Sequence, residues 1–198
     1  MRDLSECRVL IVDDTKANVD VLVETLRDHY KVSVAMNGED ALRAISRNRP
    51  DLVLLDIMMP GMDGFEVCAR IKENPETAET PVIFISALDE SDSKTTGFAH
   101  GAVDYVTKPF DADEVKARCR AQLEIVVLRK ELAEALKRQE DLSVRIGKDL
   151  QQPLRDIVQL AHELSREEEE DEEILMQLLV SLSKTASLCD ELVESVQS

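Results

Sequence analysis

Five short apolar runs mark the first part of the chain: Arg8–Val12, Val32–Ala35, Leu52–Leu55, Val82–Ile85 and Val103–Val106. They are mostly Val, Ile and Leu and show no polar alternation, which suits strands buried on both faces rather than strands with one wet side. Between them the apolar positions fall at helical spacing near 15–28, 38–48, 64–73 and 91–99. Strand–helix units repeated five times predict a doubly wound parallel α/β sheet with right-handed crossovers.

The pattern changes after Phe110. All six aromatic residues lie at or before it, and beyond it the only Gly and Pro are Gly147 and Pro153. Asp111 followed by Glu114 reads as a capping box that opens a helix, and nothing interrupts that helix before Ile146. With Ile125 at position a, the a/d series is Ile125, Leu128, Leu132, Ala135, Gln139, Leu142, Ile146 and Asp149. Six of these eight are apolar, and Leu136 and Leu150 widen the stripe. Such a repeat predicts a parallel coiled coil between two copies. A Pro-containing helix over Lys148–Ser165, the acidic run Glu167–Glu173 and an apolar helix over Ile174–Val196 follow. The last helix carries more apolar surface than a two-helix hairpin hides, so a dimeric four-helix bundle is expected. The expected division is a globular domain at 1–120, a coiled-coil linker helix at 121–147 and a helical hairpin at 148–198.

The 198 residues carry 24 basic and 41 acidic side chains, a net charge of −17, with −8 over 1–120 and −9 over 121–198. That balance argues against nucleic-acid binding, which draws on an excess of Lys and Arg to neutralise phosphates. No uncharged apolar run approaches the roughly 18 residues that span a bilayer, and the N-terminus lacks an export signal. Cys7, Cys68, Cys119 and Cys189 are scattered, without metal-ligand spacing. They suit buried thiols in a reducing cytoplasm.

Candidate chemistry sits at the strand ends. Asp13 and Asp14 close the first strand, in VLIVDD, and Asp56 closes the third, in LLDIMMPGMDG. In a doubly wound sheet, functional groups gather at the carboxyl ends of strands, near the point where strand order reverses. One Asp there is an ordinary turn residue. Three, each directly after a buried strand, would repel one another, and a hard divalent cation removes that conflict. Ser86 follows the fourth strand in FISA, and Lys108 follows the fifth in DYVTKPF. A carboxylate nucleophile, a metal, a hydroxyl and an ammonium are the parts of a phosphoryl-transfer site.

These motifs, in this order and spacing over about residues 6–120, resemble the receiver domain of two-component response regulators. The resemblance implies a flavodoxin-like five-stranded sheet of order 2-1-3-4-5 and phosphorylation of Asp56 by a histidine kinase or phosphotransfer protein. It implies Mg²⁺ held by Asp14, Asp56 and the backbone carbonyl of Met58 with Asp13 assisting, and phosphate contacts from Ser86 and Lys108. Tyr105 matches the family's aromatic switch, which turns inward when Ser86 moves toward the phosphate. Met58 and Leu88 flank the approach of an attacking water, and neither side chain can orient one, which predicts slow self-dephosphorylation.

Residues 140–198 are similar to the dimerisation and histidine-phosphotransfer hairpin of sensor histidine kinases, through KDLQQPLRDIVQLAHELS and LVSLSKTASLCDELVESV. Lys148 stands where that family has its phosphoacceptor His, followed by Asp149 and by Pro153-Leu154. No ATP-binding domain follows Ser198, so no kinase activity is expected, and the receiver would catalyse only its own phosphorylation and dephosphorylation. His162 begins a His-Glu-Leu-Ser sequence without the following Pro, and His29 and His100 lie in surface segments. The leading expectation is a response regulator with a dimeric helical output, no DNA-binding domain and no membrane insertion. An enzymatic alternative stays open: a receiver-regulated phosphatase or phosphotransfer protein acting through Asp149 and Gln152, or through His162. A fragment of a longer hybrid kinase is a third.

Overall fold

The computed structural model describes residues 3–87, 101–164, 176, 177 and 179–187, with backbone alone at 87 and 160–164. Its sheet contains β1 (Arg8–Val12), β2 (Lys31–Ala35), β3 (Leu52–Asp56), β4 (Val82–Ala87) and β5 (Asp104–Lys108). All pairings are parallel, in the order β2-β1-β3-β4-β5. Helices α1 (Lys16–Leu26), α2 (Gly38–Asn48), α3 (Gly64–Glu73) and α4 (Ala112–Leu164) complete the described elements. The helix expected near 91–99 lies outside the described residues.

The uninterrupted apolar runs follow from side-chain alternation in a sheet covered on both faces. Val9 and Ile11, Leu52 and Leu54, and Ile83 and Ile85 join α1 and the start of α4 in one core layer. Leu10 and Val12, Val53 and Leu55, and Val82 and Phe84 join α2 and α3 in the other. Every residue of β3 is buried, as a central strand requires. Strand β5 begins one residue later than the apolar run suggests and ends two residues later, at Lys108. Val103 is half-exposed, and its N–H donates to the Val82 carbonyl at 3.0 Å before the strand proper starts.

Local chemistry starts the helices. Asn37 caps α2 by accepting from the Asp40 N–H at 2.8 Å, and Asp63 caps α3 by accepting from the Glu66 N–H at 2.8 Å. Asp111 accepts from the N–H groups of Asp113 and Glu114 at 2.8 and 3.1 Å, so α4 opens at the expected cap. Between β3 and α3 the chain turns through Gly61, whose φ of +81° favours glycine. It folds back at Gly64, whose N–H donates to the Ile57 carbonyl at 2.9 Å. A Cβ on Gly64 would press on the Asp56 carbonyl oxygen and lie 2.8 Å from Ile57 Cα.

The chain forms two compact units, Met1–Arg129 and Lys130–Ser198. Val115, Cys119, Leu123 and Val127, spaced four apart on α4, fill the α1-side core layer. Packing of this helix against the core therefore continues to Val127. The sequence also places a new helix at Lys148, after Gly147, whereas α4 runs unbroken through Gly147 and Pro153 to Leu164. Proline withdraws one backbone donor and crowds the carbonyl four residues back. Strong helix formers on both sides (Leu, Arg, Gln and Glu) favour continuation.

In the second unit residues 176, 177 and 179–187 are helical, and Leu179 is buried. The acidic run Glu167–Glu173 and the rest of the helix expected over Ile174–Val196 lie outside the described residues. Along α4 the a/d residues Ile125, Leu128, Leu132, Leu142 and Ile146 are 44–62% exposed.

Candidate functional site

Parallel pairing of β1 with β3 puts Val12 opposite Leu55, so the residues just past Val12 meet Asp56 at the carboxyl edge of the sheet. Asp13, Asp14 and Asp56 each offer a carboxylate oxygen within 4.8 Å of the others. Their environments differ: Asp13 and Asp56 are buried, and Asp14 is exposed.

Asp13 is the most heavily bonded. Its Oδ1 accepts from the Thr15 N–H at 2.8 Å and from Asn18 Nδ2 at 3.1 Å. Its Oδ2 accepts from Asn18 Nδ2 and from Lys108 Nζ, both at 2.9 Å. Lys108 reaches back from the end of β5 and also contacts Asp56 Oδ2 at 2.8 Å. Its peptide bond to Pro109 is cis. The other oxygen of Asp56 accepts a long bond, 3.4 Å, from the Met58 N–H. Asp14 Oδ1 accepts from the Thr15 hydroxyl at 3.2 Å.

Burial raises the Asp56 pKa above the ordinary carboxylate value. The Lys108 hydrogen bond opposes that rise, and the Asp13 charge adds to it. For Lys108, burial is the largest single influence and favours the neutral amine. The combined hydrogen bonds and charges of Asp56 and Asp13 outweigh it and raise the pKa. The ammonium thus sits as a fixed cation between two carboxylates in a site of reduced dielectric. Three hard oxygen donors converging there suit a small divalent cation better than a thiol- or imidazole-seeking metal.

The remaining expected residues fall as follows. Ser86, near the end of β4, is partly buried and pairs in register with Thr107. Met58 follows β3 with its side chain 67% exposed. Tyr105 is half-buried against the α2–α3 core layer. The Arg118 guanidinium lies 5.6 Å from its ring centroid and bonds both Asp104 oxygens at 2.6 and 2.8 Å. Leu88, Phe98, His100 and Cys189 lie outside the described residues. His162 belongs to the backbone of α4, and His29 is exposed beside Tyr30. Asp149 and Gln152 are exposed on α4, and the Gln152 amide donates to Asp156 Oδ1 at 2.9 Å. Cys7, Cys68 and Cys119 are buried. Burial pushes Cys119 up to about 12 and also raises Cys68.

Sequence reasoning missed Asn18 and Arg118. The available signal for Asn18 was its place five residues past Asp13, on the first turn of α1, where a short amide reaches back to the strand end.

Fold and pocket together define a parallel α/β protein with an acid-lined, lysine-bridged site over the carboxyl edge of its sheet. Residues 9–120 match the family model described as response regulator receiver domain. The chain belongs to that family: it contains the receiver domain of a two-component response regulator, a domain that histidine kinases or phosphotransfer proteins phosphorylate. It is 47% identical over 115 residues to "Response regulator PleD" of Caulobacter vibrioides, covering 58% of this chain and 25% of PleD. It is 41% identical over 122 residues to "Transcriptional regulatory protein YvrH" of Bacillus subtilis, covering 61% of this chain and 50% of YvrH. Among solved structures, a putative response regulator from Chloroflexus aurantiacus superposes with a TM-score of 0.59 at 36% identity, over 60% of this chain and 98% of that one. The chain thus spans from a quarter to half of the length of these two curated relatives. Among the described residues no helix is long and apolar enough to cross a membrane.

Proposed function

We propose that Asp56 accepts a phosphoryl group from a histidine kinase or phosphotransfer protein, and that the response passes to a dimer of the C-terminal helices rather than to DNA. The observation that carries the first half is the lysine bridge: Lys108 Nζ lies 2.8 Å from Asp56 and 2.9 Å from Asp13. Asp13 has donors on both oxygens, whereas Asp14 and Asp56 keep acceptor capacity for a cation. Asp14, Asp56 and the Met58 carbonyl are the ligands proposed for Mg²⁺, with Asp13 in an assisting role. When bound, the ion neutralises charge on the transferring phosphoryl oxygens.

The step itself belongs to Asp56. A carboxylate oxygen attacks phosphorus, the P–O bond to Asp56 forms, and the P–N bond of the donor phosphohistidine breaks. The electron pair of that bond returns to the imidazole. Lys108 then retains Asp13 as a partner and can follow the phosphoryl oxygens, and Ser86 supplies a hydroxyl donor to them. Tyr105 is the proposed reporter of that movement on the face formed by β5 and α4.

The exposed stripe of α4 supports the dimer, because apolar residues at 44–62% exposure gain most by meeting a second copy. The hairpin reading and the division into linker and hairpin rest on the sequence pattern. Radiolabel should pass from a phosphohistidine donor to the wild type and fail to pass to Asp56→Ala. Equal labelling of the two would refute the assignment.

A further inference from the structure

We propose that Asn18 is a positioning residue of the phosphoryl site: a neutral double donor that pins Asp13 so that Lys108 stands between Asp13 and Asp56. This inference rests on the reading of Asp56 given above. The geometry is specific. Both Asp13 oxygens receive the Asn18 amide, at 3.1 and 2.9 Å, and the carboxylate they belong to is fully buried. Rotation of that carboxylate would pull Oδ2 away from Lys108 Nζ, now at 2.9 Å, and release the ammonium toward Asp56 alone. The backbone joins the same clamp. The Thr15 N–H meets Asp13 Oδ1 at 2.8 Å, and Thr15, at the cap position of α1, makes no side-chain cap bond of its own. Asp13 therefore ties the start of α1 to the end of β5, and Asn18 keeps that tie in one orientation.

An amide suits this task for a reason of charge. A Lys or Arg at position 18 would also donate to Asp13, but it would add a second cation and lower the attraction of the pocket for a divalent ion. Asn18 grips the carboxylate and leaves the net charge of the site unchanged. Its side chain is partly buried, so solvent competes only weakly for its hydrogens.

Two substitutions in the full chain separate positioning from packing. Asn18→Ala removes the donor and some volume. Asn18→Asp keeps size and shape but turns an acceptor and a negative charge toward Asp13. Each is compared with wild type by the rate of phosphoryl uptake from phosphoramidate at saturating Mg²⁺, and by the rise in unfolding temperature that Mg²⁺ alone produces. Positioning predicts that Asn18→Ala loses about tenfold in rate, as supporting partners of such sites generally do. Asn18→Asp should lose at least as much. Asn18→Asp should also unfold at a lower temperature without cation and gain more from Mg²⁺ than wild type, because the ion relieves the added repulsion. If Asn18→Asp keeps the wild-type rate and the wild-type Mg²⁺ response, Asn18 only fills space and the inference is wrong. An unchanged rate in Asn18→Ala is equally fatal. If Asp56→Ala takes up label like the wild type, the reading of the pocket itself fails, an outcome independent of the Asn18 variants.

Discussion

The two units of this chain treat similar residues in opposite ways. In the first, Leu54 of β3 is 1% exposed, and Val53 and Leu55, which face the other core layer, are 0% exposed. In the second, Leu132 of α4 is 62% exposed although it has the same side chain on a well-formed helix. A strand in a covered sheet acquires neighbours on two sides from the same chain, whereas an amphipathic helix acquires them on one side only when something else supplies the surface. Helix α4 shows the transition. Val115, Cys119, Leu123 and Val127 find that surface in the receiver core, while Ile125 and Leu128, on another face of the same turns, do not. The lesson is that hydrophobicity alone does not distinguish core from interface; the covering element does.

This contrast can be broken most severely in the pocket. Replacing Lys108 by Ala leaves Asp13 and Asp56 buried as like charges without their shared cation, and phosphoryl uptake should fall by at least about a hundredfold. Uptake kinetics from phosphoramidate check this. Next in size is the pair of leucines. Leu54→Ala should cost about 2–5 kcal/mol of unfolding free energy, read by urea denaturation. Leu132→Ala should cost the receiver transition less than about 0.5 kcal/mol. Its effect should appear instead in self-association: light scattering at micromolar concentration should report a dimer for wild type, weakened when Leu128 and Leu132 are both replaced by Ser. A wild-type monomer would undo the dimer proposal.

Cys119 sharpens the comparison on the covered side of α4. Its folded pKa is raised above the ordinary 9.0 to about 12 by burial. Between those values the unfolded chain releases a proton that the folded chain keeps. The contribution is therefore intact below pH 9 and is lost as pH climbs toward 12, at up to about 1.4 kcal/mol per pH unit. Cys119→Ala should flatten that decline, and the native thiol should stay silent to a disulfide reagent until the chain unfolds. Two small effects close the series. Met58→Asn places a group able to orient water beside the acceptor and should shorten the phosphoryl half-life severalfold, as followed by loss of label. Glu79→Gln, which breaks an exposed pair with Arg129 at 3.3 Å, should change stability by under about 1 kcal/mol.

Much of the first unit could be read directly from residues. Runs without alternation imply strands covered twice, and Asp13, Asp14 and Asp56 at their ends imply a shared acidic pocket, because both rules depend on local pattern and strand adjacency. Asn18 and Arg118 escaped because their partners, Asp13 and Asp104, are met only once α1 lies over β1 and α4 over β5. The start of β5 was misplaced by a residue because Val103 is apolar yet still in the approach to the sheet. The continuation of α4 through Gly147 and Pro153 is not legible locally, since both residues break helices and only the long helical flanks on either side offset them. The inward packing of Leu123 and Val127 was hidden for the same kind of reason: neither carries a mark that tells a core-facing position from a partner-facing one.

The tight seat of Gly64 against the peptide that follows Asp56 offers a route to an inactive form that changes no ionisable group. A single methyl placed there would displace the acceptor strand's exit while every acid, the lysine and the net charge stay as they are. Such a variant would serve as an isoelectric blank, separating what the rest of the molecule does by electrostatic attraction from what it does by signalling.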